Sequence, residues 1–182
     1  MMDGSVHAGG APTGLPTVAD AFGQIVWLLT RSPLHREMKL KDLEWSFLPP
    51  LVHEQFRIFR FGPLNGVEVE DLVEAPGVRL DPAALETMPL GVALWALLSE
   101  EAEAKLERNE RLTPEEWRSG DRAWLVELIS PYSRPDNKLS EAMLADLMAG
   151  PFKTRPFSLH RTDARTGRRE KITLDVHLRG ES

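Results

Sequence analysis

GQIVWLLTRSPLHR, residues 23 to 36, reads as an amphipathic helix that runs into a stop. Val18, Phe22, Ile25, Val26 and Leu29 recur at three- and four-residue spacing and so fall on one helical face. Pro16 and Thr17 mark the start, with Asp20 three residues on as the partner of a capping box. Ser32 precedes Pro33 and is pushed out of the α region, which ends the helix. Leu34-His35-Arg36 follows at once, so His35 stands on a constrained turn just past a helix end. Spacing alone leaves open whether this histidine packs or reacts.

Outward from that stretch, residues 39–48 read as a short helix with Leu40, Leu43 and Phe47 on one side, ended by Pro49-Pro50. QFRIFRF, residues 55–61, alternates as a strand does. Residues 62–89 are acidic and punctuated by Pro and Gly. They have room for a small strand near Val67–Val69 and a helical turn near Ala83–Thr87, and read as an insertion into one domain. LGVALWALL, residues 90–98, is a continuous apolar run suited to a buried strand. Ser99 caps the helix EEAEAKLERN that follows, whose glutamates favour the positive helix end. Thr113-Pro114-Glu115-Glu116 has capping-box form, so a short helical turn is expected there.

WRSGDRAWLVELISPY, residues 117–132, is the second decisive stretch. Ser119-Gly120-Asp121 marks a turn. Residues 122–129 read as a strand with Trp124, Val126 and Leu128 on one face and Leu125, Glu127 and Ile129 on the other. A carboxylate between two large aliphatics is costly without a partner. Glu127 is therefore at a strand end, facing water, or part of a site. Residues 139–148 form a helix with Leu139, Met143 and Leu147 aligned, stopped at Gly150-Pro151. Residues 155–161 and 170–178 read as an antiparallel hairpin, its turn holding Asp163 and Gly167. Ile172, Leu174, Val176 and Leu178 alternate there with Thr173, Asp175 and His177. This element order implies an α+β fold, a mixed and mostly antiparallel sheet flanked by helices.

The 182 residues, 42% hydrophobic and 27% charged, suit one globular domain over 16–182. Residues 1–15 read as a disordered tail with neither the basic nor the apolar region of a secretory signal. No apolar run approaches the roughly 18 residues that span a bilayer. Cysteine is absent, which removes disulfides and zinc–thiolate sites and suits the cytoplasm. The net charge of −6 argues against nucleic acid. Residues 153–171 nevertheless carry seven basic against two acidic side chains, a net +5 that leaves −11 on the rest. Such a patch either steers an acidic partner or is a solvated hairpin tip. Only six of the 22 basic residues are lysine.

Phosphate-loop, dinucleotide, zinc-protease and hydrolase-elbow motifs are missing, as is the pyrophosphate signature of coenzyme-A-dependent acetyltransferases. The five histidines show no metal-ligand spacing, and no metal is expected.

Ser32-Pro33-Leu34-His35-Arg36, preceded by Gly23-Gln24-Ile25-Val26-Trp27-Leu28, resembles the N-terminal motif of the toxin-activating lysine acyltransferases encoded beside RTX toxins. Trp117 to Trp124, continuing through Ile129-Ser130-Pro131-Tyr132, resembles that family's central motif. The resemblance runs from about Val18 to Leu178, leaving out the insertion. It implies a GNAT-like acyltransferase fold and transfer of a fatty acyl chain from acyl carrier protein to internal lysine ε-amines of an RTX-type protoxin. No bound cofactor is implied, and a homodimer is. An acidic carrier protein would suit the basic patch. The family's essential histidine falls on His35. Its essential aspartate falls on Glu127, one methylene longer, and an important arginine falls on Arg161. Ser32, Arg36, Trp27, Trp124 and Asp121, from the two motifs, fall to substrate binding.

The chemistry agrees with these residues. A lysine ammonium, with pKa near 10.4, must lose a proton before it attacks a thioester, and histidine is the side chain suited to take it. His35 is then the general base, Glu127 orients or supports it, and Arg161 or backbone amides meet the oxyanion. An acyl-His35 intermediate is the competing route. Rival readings are a related acyltransferase with another amine or protein acceptor, or a non-catalytic relative that binds toxin or carrier.

Overall fold

Helix α1, Val18–Arg31, begins on a complete capping box: the Thr17 hydroxyl accepts from the Asp20 N–H and the Asp20 carboxylate accepts from the Thr17 N–H at 2.7 Å. The Thr17 N–H, and after it the Thr17 hydroxyl, which also reaches that carboxylate at 2.8 Å, hold the Asp20 carboxyl below its usual range. Ala21, Ile25, Leu28 and Leu29 form its buried face, packed on Val92, Leu94 and Ile129 of the sheet. Fully burying one such leucine stabilises the fold by about 1.5–3 kcal/mol. In this computed structural model the described residues are 17–60, 88–162, 166 and 168–175. The expected tail, nearly all of the 62–89 insertion, Asp163 and Gly167 of the hairpin turn, and Val176 to Leu178 lie outside them.

The chain continues through α2 (Leu40–Ser46), α3 (Leu48–Val52), β1 (Phe56–Arg60), β2 (Pro89–Leu98), α4 (Glu100–Glu107), β3 (Arg122–Ile129), α5 (Leu139–Ala149), β4 (Phe157–Thr162) and β5 (Arg169–Leu174). The class is α+β, as expected. The five strands lie in chain order, antiparallel except for the parallel pair β3–β4. One local reading needs correction. Pro49-Pro50 does not simply end a helix: it occupies the first turn of α3, where a backbone N–H is not needed. The turn expected at Thr113 does form: the Thr113 N–H donates to the Glu116 carboxylate at 2.8 Å, and the Glu116 N–H donates to the Thr113 carbonyl at 3.0 Å.

Residues alternate across β2, so its two faces have different covers. Val92, Leu94, Ala96 and Leu98 face α1–α4, whereas Ala93, Trp95 and Leu97 face α5, whose Leu139, Met143 and Leu147 are fully buried. Beyond β1, the chain at Trp117–Arg118 takes over that flank of β2: Leu97 N–H donates to the Trp117 carbonyl, and the Ser119 and Gly120 N–H groups donate to the Leu97 carbonyl. A Cβ at Gly120 would run into the Leu98 carbonyl, so the turn needs glycine. Gln55 seals the junction by donating to the Trp95 and Trp117 carbonyls, both at 2.9 Å.

The expected face assignment of β3 fails from Glu127 onward, because of one extra residue. Trp95 pairs with Leu125 and Leu94 with Glu127, which leaves Val126 without a partner on β2. This bulge resets the alternation. After it, Glu127 and Ile129 share the Trp124 face, and Leu128 joins the α5 side with Leu125. The bulge thus turns Glu127 toward the side of the sheet that α1 covers.

Candidate active site

Ser32 closes α1 in an extended conformation and its N–H donates to the Leu28 and Leu29 carbonyls. Its own carbonyl accepts from the N–H groups of His35 and Arg36, each at 3.0 Å. The resulting turn folds the buried Ser32 hydroxyl onto the imidazole, with Oγ 2.7 Å from Nδ1 of His35. Nε2 therefore faces away, and Glu127 Oε2 lies 3.8 Å from it. That gap exceeds hydrogen-bond range. The His35 side chain is 18% exposed and that of Glu127 is 42% exposed. Glu127 is thus wetted, one of the readings left open for it, and it faces His35.

Both groups line a cavity of about 210 Å³. Met38, Phe47, Leu106, Leu112, Trp117, Trp124 and Val126 make its apolar wall, and Arg111, His160 and Arg169 add polar groups. Trp124 is pinned from below. Its Nε1 donates to Glu103 at 2.8 Å, and Glu103 also accepts from Lys171 and Arg122, each at 2.9 Å. Lys171 Nζ sits 5.2 Å from the Trp124 ring centroid, a cation–π contact. Burial alone pushes the Glu103 carboxyl up, but hydrogen bonds from Lys171 and Trp124 and the charges of Lys171 and Arg122 outweigh it, so its pKa lies below the ordinary 4.5. Burial likewise opposes charge on Lys171, and Glu107 and Glu103 overcome it, raising that pKa. The cluster fastens α4 to β3 and β5 beneath the cavity.

His35, Glu127 and Trp124 are brought together, with Ser32 behind His35. The remaining expected site residues lie elsewhere. Trp27 is on the outer face of α1 with the Arg31 guanidinium 4.5 Å above its ring. Arg36 is exposed beside Glu37. Asp121 is exposed in a separate hollow that also holds Arg155 and Lys171. Arg161 is exposed and pairs with Glu170 at 3.6 Å. Arg111, Arg169, His160 and Glu103 carry no local motif. Strand alternation could have placed His160 and Lys171 on the Trp124 side, but Glu103 meets Trp124 and Lys171 across 21 and 68 residues. Among the described residues, no group of three His, Asp or Glu is placed to hold a metal, and no helix is long and apolar enough to cross a membrane.

The chain matches the family model of the RTX toxin acyltransferases (HlyC) over residues 16–65 and 83–174. It belongs to the RTX toxin acyltransferase family. It is 30% identical over 112 residues to the leukotoxin-activating lysine-acyltransferase LktC of a Pasteurella haemolytica-like species, covering 61% of this chain and 53% of that protein. Similarity extends to the leukotoxin-activating lysine-acyltransferase LtxC of Aggregatibacter actinomycetemcomitans, 31% identical over 114 residues, 62% of this chain and 54% of the relative. The protein-lysine palmitoyltransferase CyaC of Bordetella bronchiseptica is 26% identical over 127 residues, 69% of this chain and 56% of the relative. The chain spans about half the length of the curated relatives it matches.

Proposed function

We propose that this protein transfers a fatty acyl chain from the thioester of acyl carrier protein to internal lysine ε-amines of an RTX-type protoxin in the cytoplasm. The observation that carries the reading is His35 Nε2 facing Glu127 Oε2 across 3.8 Å at the edge of a largely apolar cavity. With one proton on Nδ1, donated to Ser32 Oγ, Nε2 presents a lone pair to the incoming amine. Glu127 faces the same nitrogen rather than Nδ1. Its charge therefore acts on the lysine ammonium and on the imidazolium that forms, while Ser32 orients the ring. The apolar wall suits an acyl chain.

Strands β3 and β4 pair only from Ala123↔Phe157 to Leu125↔Leu159. The parting strands leave backbone groups between Val126 and His160 that suit an extended, amide-bearing arm such as the pantetheine of a carrier protein. This parting favours a GNAT-like arrangement. The basic hairpin supports an acidic carrier, although Lys171 is already committed to Glu103 and Glu107, and Arg161 to Glu170. Trp27, Arg36 and Asp121 lie outside the cavity, so their contacts are with the protein substrates rather than with the acyl chain.

Residues 66–82 fall outside the family match and favour a second reading, the same chemistry on a different amine or protein acceptor. The test is to incubate the purified protein with acyl carrier protein loaded with chains of several lengths, with and without a repeat-containing protoxin. Mass spectrometry should find the chain in amide linkage on protoxin lysines. Transfer only to other amines selects the second reading, and no transfer to any amine removes both.

A further inference from the structure

His160 enters the same cavity from β4, half-buried and without an assigned task. Its ring meets the Trp124 indole edge-on, with centroids 5.0 Å apart. Among the described residues neither ring nitrogen has a hydrogen-bond partner. A polar ring held in place by an aromatic contact, with no polar partner among the described residues, suits a ligand. The groups around it set its character. Burial disfavours the charged ring, Arg169 and Lys171 add positive charge beside it, and Glu107 opposes them in part, so its pKa is lowered from 6.5. The neutral ring is favoured at pH 7 and keeps one N–H to donate. Arg161, the side chain expected to meet the oxyanion, is engaged by Glu170 and does not line the cavity.

We propose that His160 is the oxyanion donor of the acyl transfer, one ring N–H hydrogen-bonding the thioester oxygen as it gains charge. The proposal rests on the acyl-transfer reading above. His35 takes one proton from the lysine ammonium and passes it to solvent. Its nitrogen lone pair then forms a bond to the thioester carbon, and the C=O π pair moves onto oxygen, where His160 meets it. His35 takes the second proton from nitrogen. Collapse re-forms C=O, breaks the C–S bond and expels the thiolate, which receives that proton from His35. His160 keeps its own proton throughout. A neutral imidazole in this role suits a site whose base must be a different histidine.

The test is steady-state transfer from acyl carrier protein to a lysine acceptor by the wild type, His160→Phe and His160→Gln, with folding checked by thermal unfolding. Phenylalanine keeps the aromatic contact with Trp124 and removes the N–H, whereas glutamine keeps a donor. Losing one oxyanion donor should lower kcat by about 100-fold with little change in the donor's KM. His160→Gln should recover most of that loss. If His160→Phe does not fold, His160→Met replaces it with the same expectation. A kcat near that of the wild type, or a loss confined to KM, overturns the proposal. Absence of transfer by the wild type to any amine removes the acyl-transfer reading and this one together, whereas active wild type with an unimpaired phenylalanine variant removes only this one.

Discussion

His35 is held by its own chain neighbours, whereas Glu127 and His160 are held by strands brought together from distant parts of the sequence. On the first side, a helix stop and a tight turn place Ser32 Oγ against Nδ1 within three residues. On the second, a bulge opposite Leu94 and Trp95 turns Glu127 over, and the charge cluster of Glu103, Arg122 and Lys171 under Trp124 fixes the wall. A local turn can orient a ring accurately at small cost in ordering. A cavity wall must be assembled by the whole sheet, so damage to it propagates to stability. Variants at His35 and in its turn should therefore spoil turnover and spare folding, while variants that remove the buried contacts behind the wall, at Trp124 and Glu103, should cost stability first.

The largest effect is expected from Trp124→Ala, which removes a fully buried indole and leaves Glu103 short of a donor. Urea unfolding should show a loss of about 3–5 kcal/mol. Glu127→Gln should lower transfer by about 100-fold. As a half-exposed position without a hydrogen bond among the described residues, it should shift stability by only about 0.5 kcal/mol, read by thermal unfolding. Equal damage to folding would move Glu127 into the structural class and break the contrast.

Glu103→Gln should cost about 1–3 kcal/mol at pH 7, because its charged partners lose their counter-charge. The sign with pH follows from its depressed pKa. The contribution of the carboxylate is present above the ordinary value of 4.5 and is lost as pH falls through the lower folded value. Wild-type stability should thus drop on acidification below about pH 4.5, and the variant should approach it there. Ser32→Ala should be the mildest, a fall in transfer of about tenfold for one orienting hydrogen bond. Its denaturation midpoint should stay close to that of the wild type.

The same contrast explains what could be read from the sequence. The α1 capping box, the Ser32-Pro33 stop and the exposed turn at His35 are local rules, and the fold obeys them. The buried stripe of α5 and the run from Leu90 to Leu98 were equally legible, because burial follows periodicity. The partner of His35 was legible only as a residue type. Its face was not, since Val126 breaks the alternation and a bulge has no signature in WLVEL. Arg169 and His160 reach the cavity through hairpin register, of which strand alternation gives only the face, and Glu103 meets Trp124 beneath it through a tertiary contact with no local mark. The short α3 was hidden by two prolines that ordinarily signal an end rather than a first turn.

The claim that joins both halves is that Nε2 of His35 takes the proton from the acceptor amine. Intact-protein mass spectrometry of a lysine acceptor, after incubation with acyl carrier protein and either wild type or His35→Ala, tests it most directly. The account predicts amide-linked chain with the wild type and a rate lower by at least about 100-fold with the variant, at unchanged fold. Undiminished acylation by His35→Ala would contradict it.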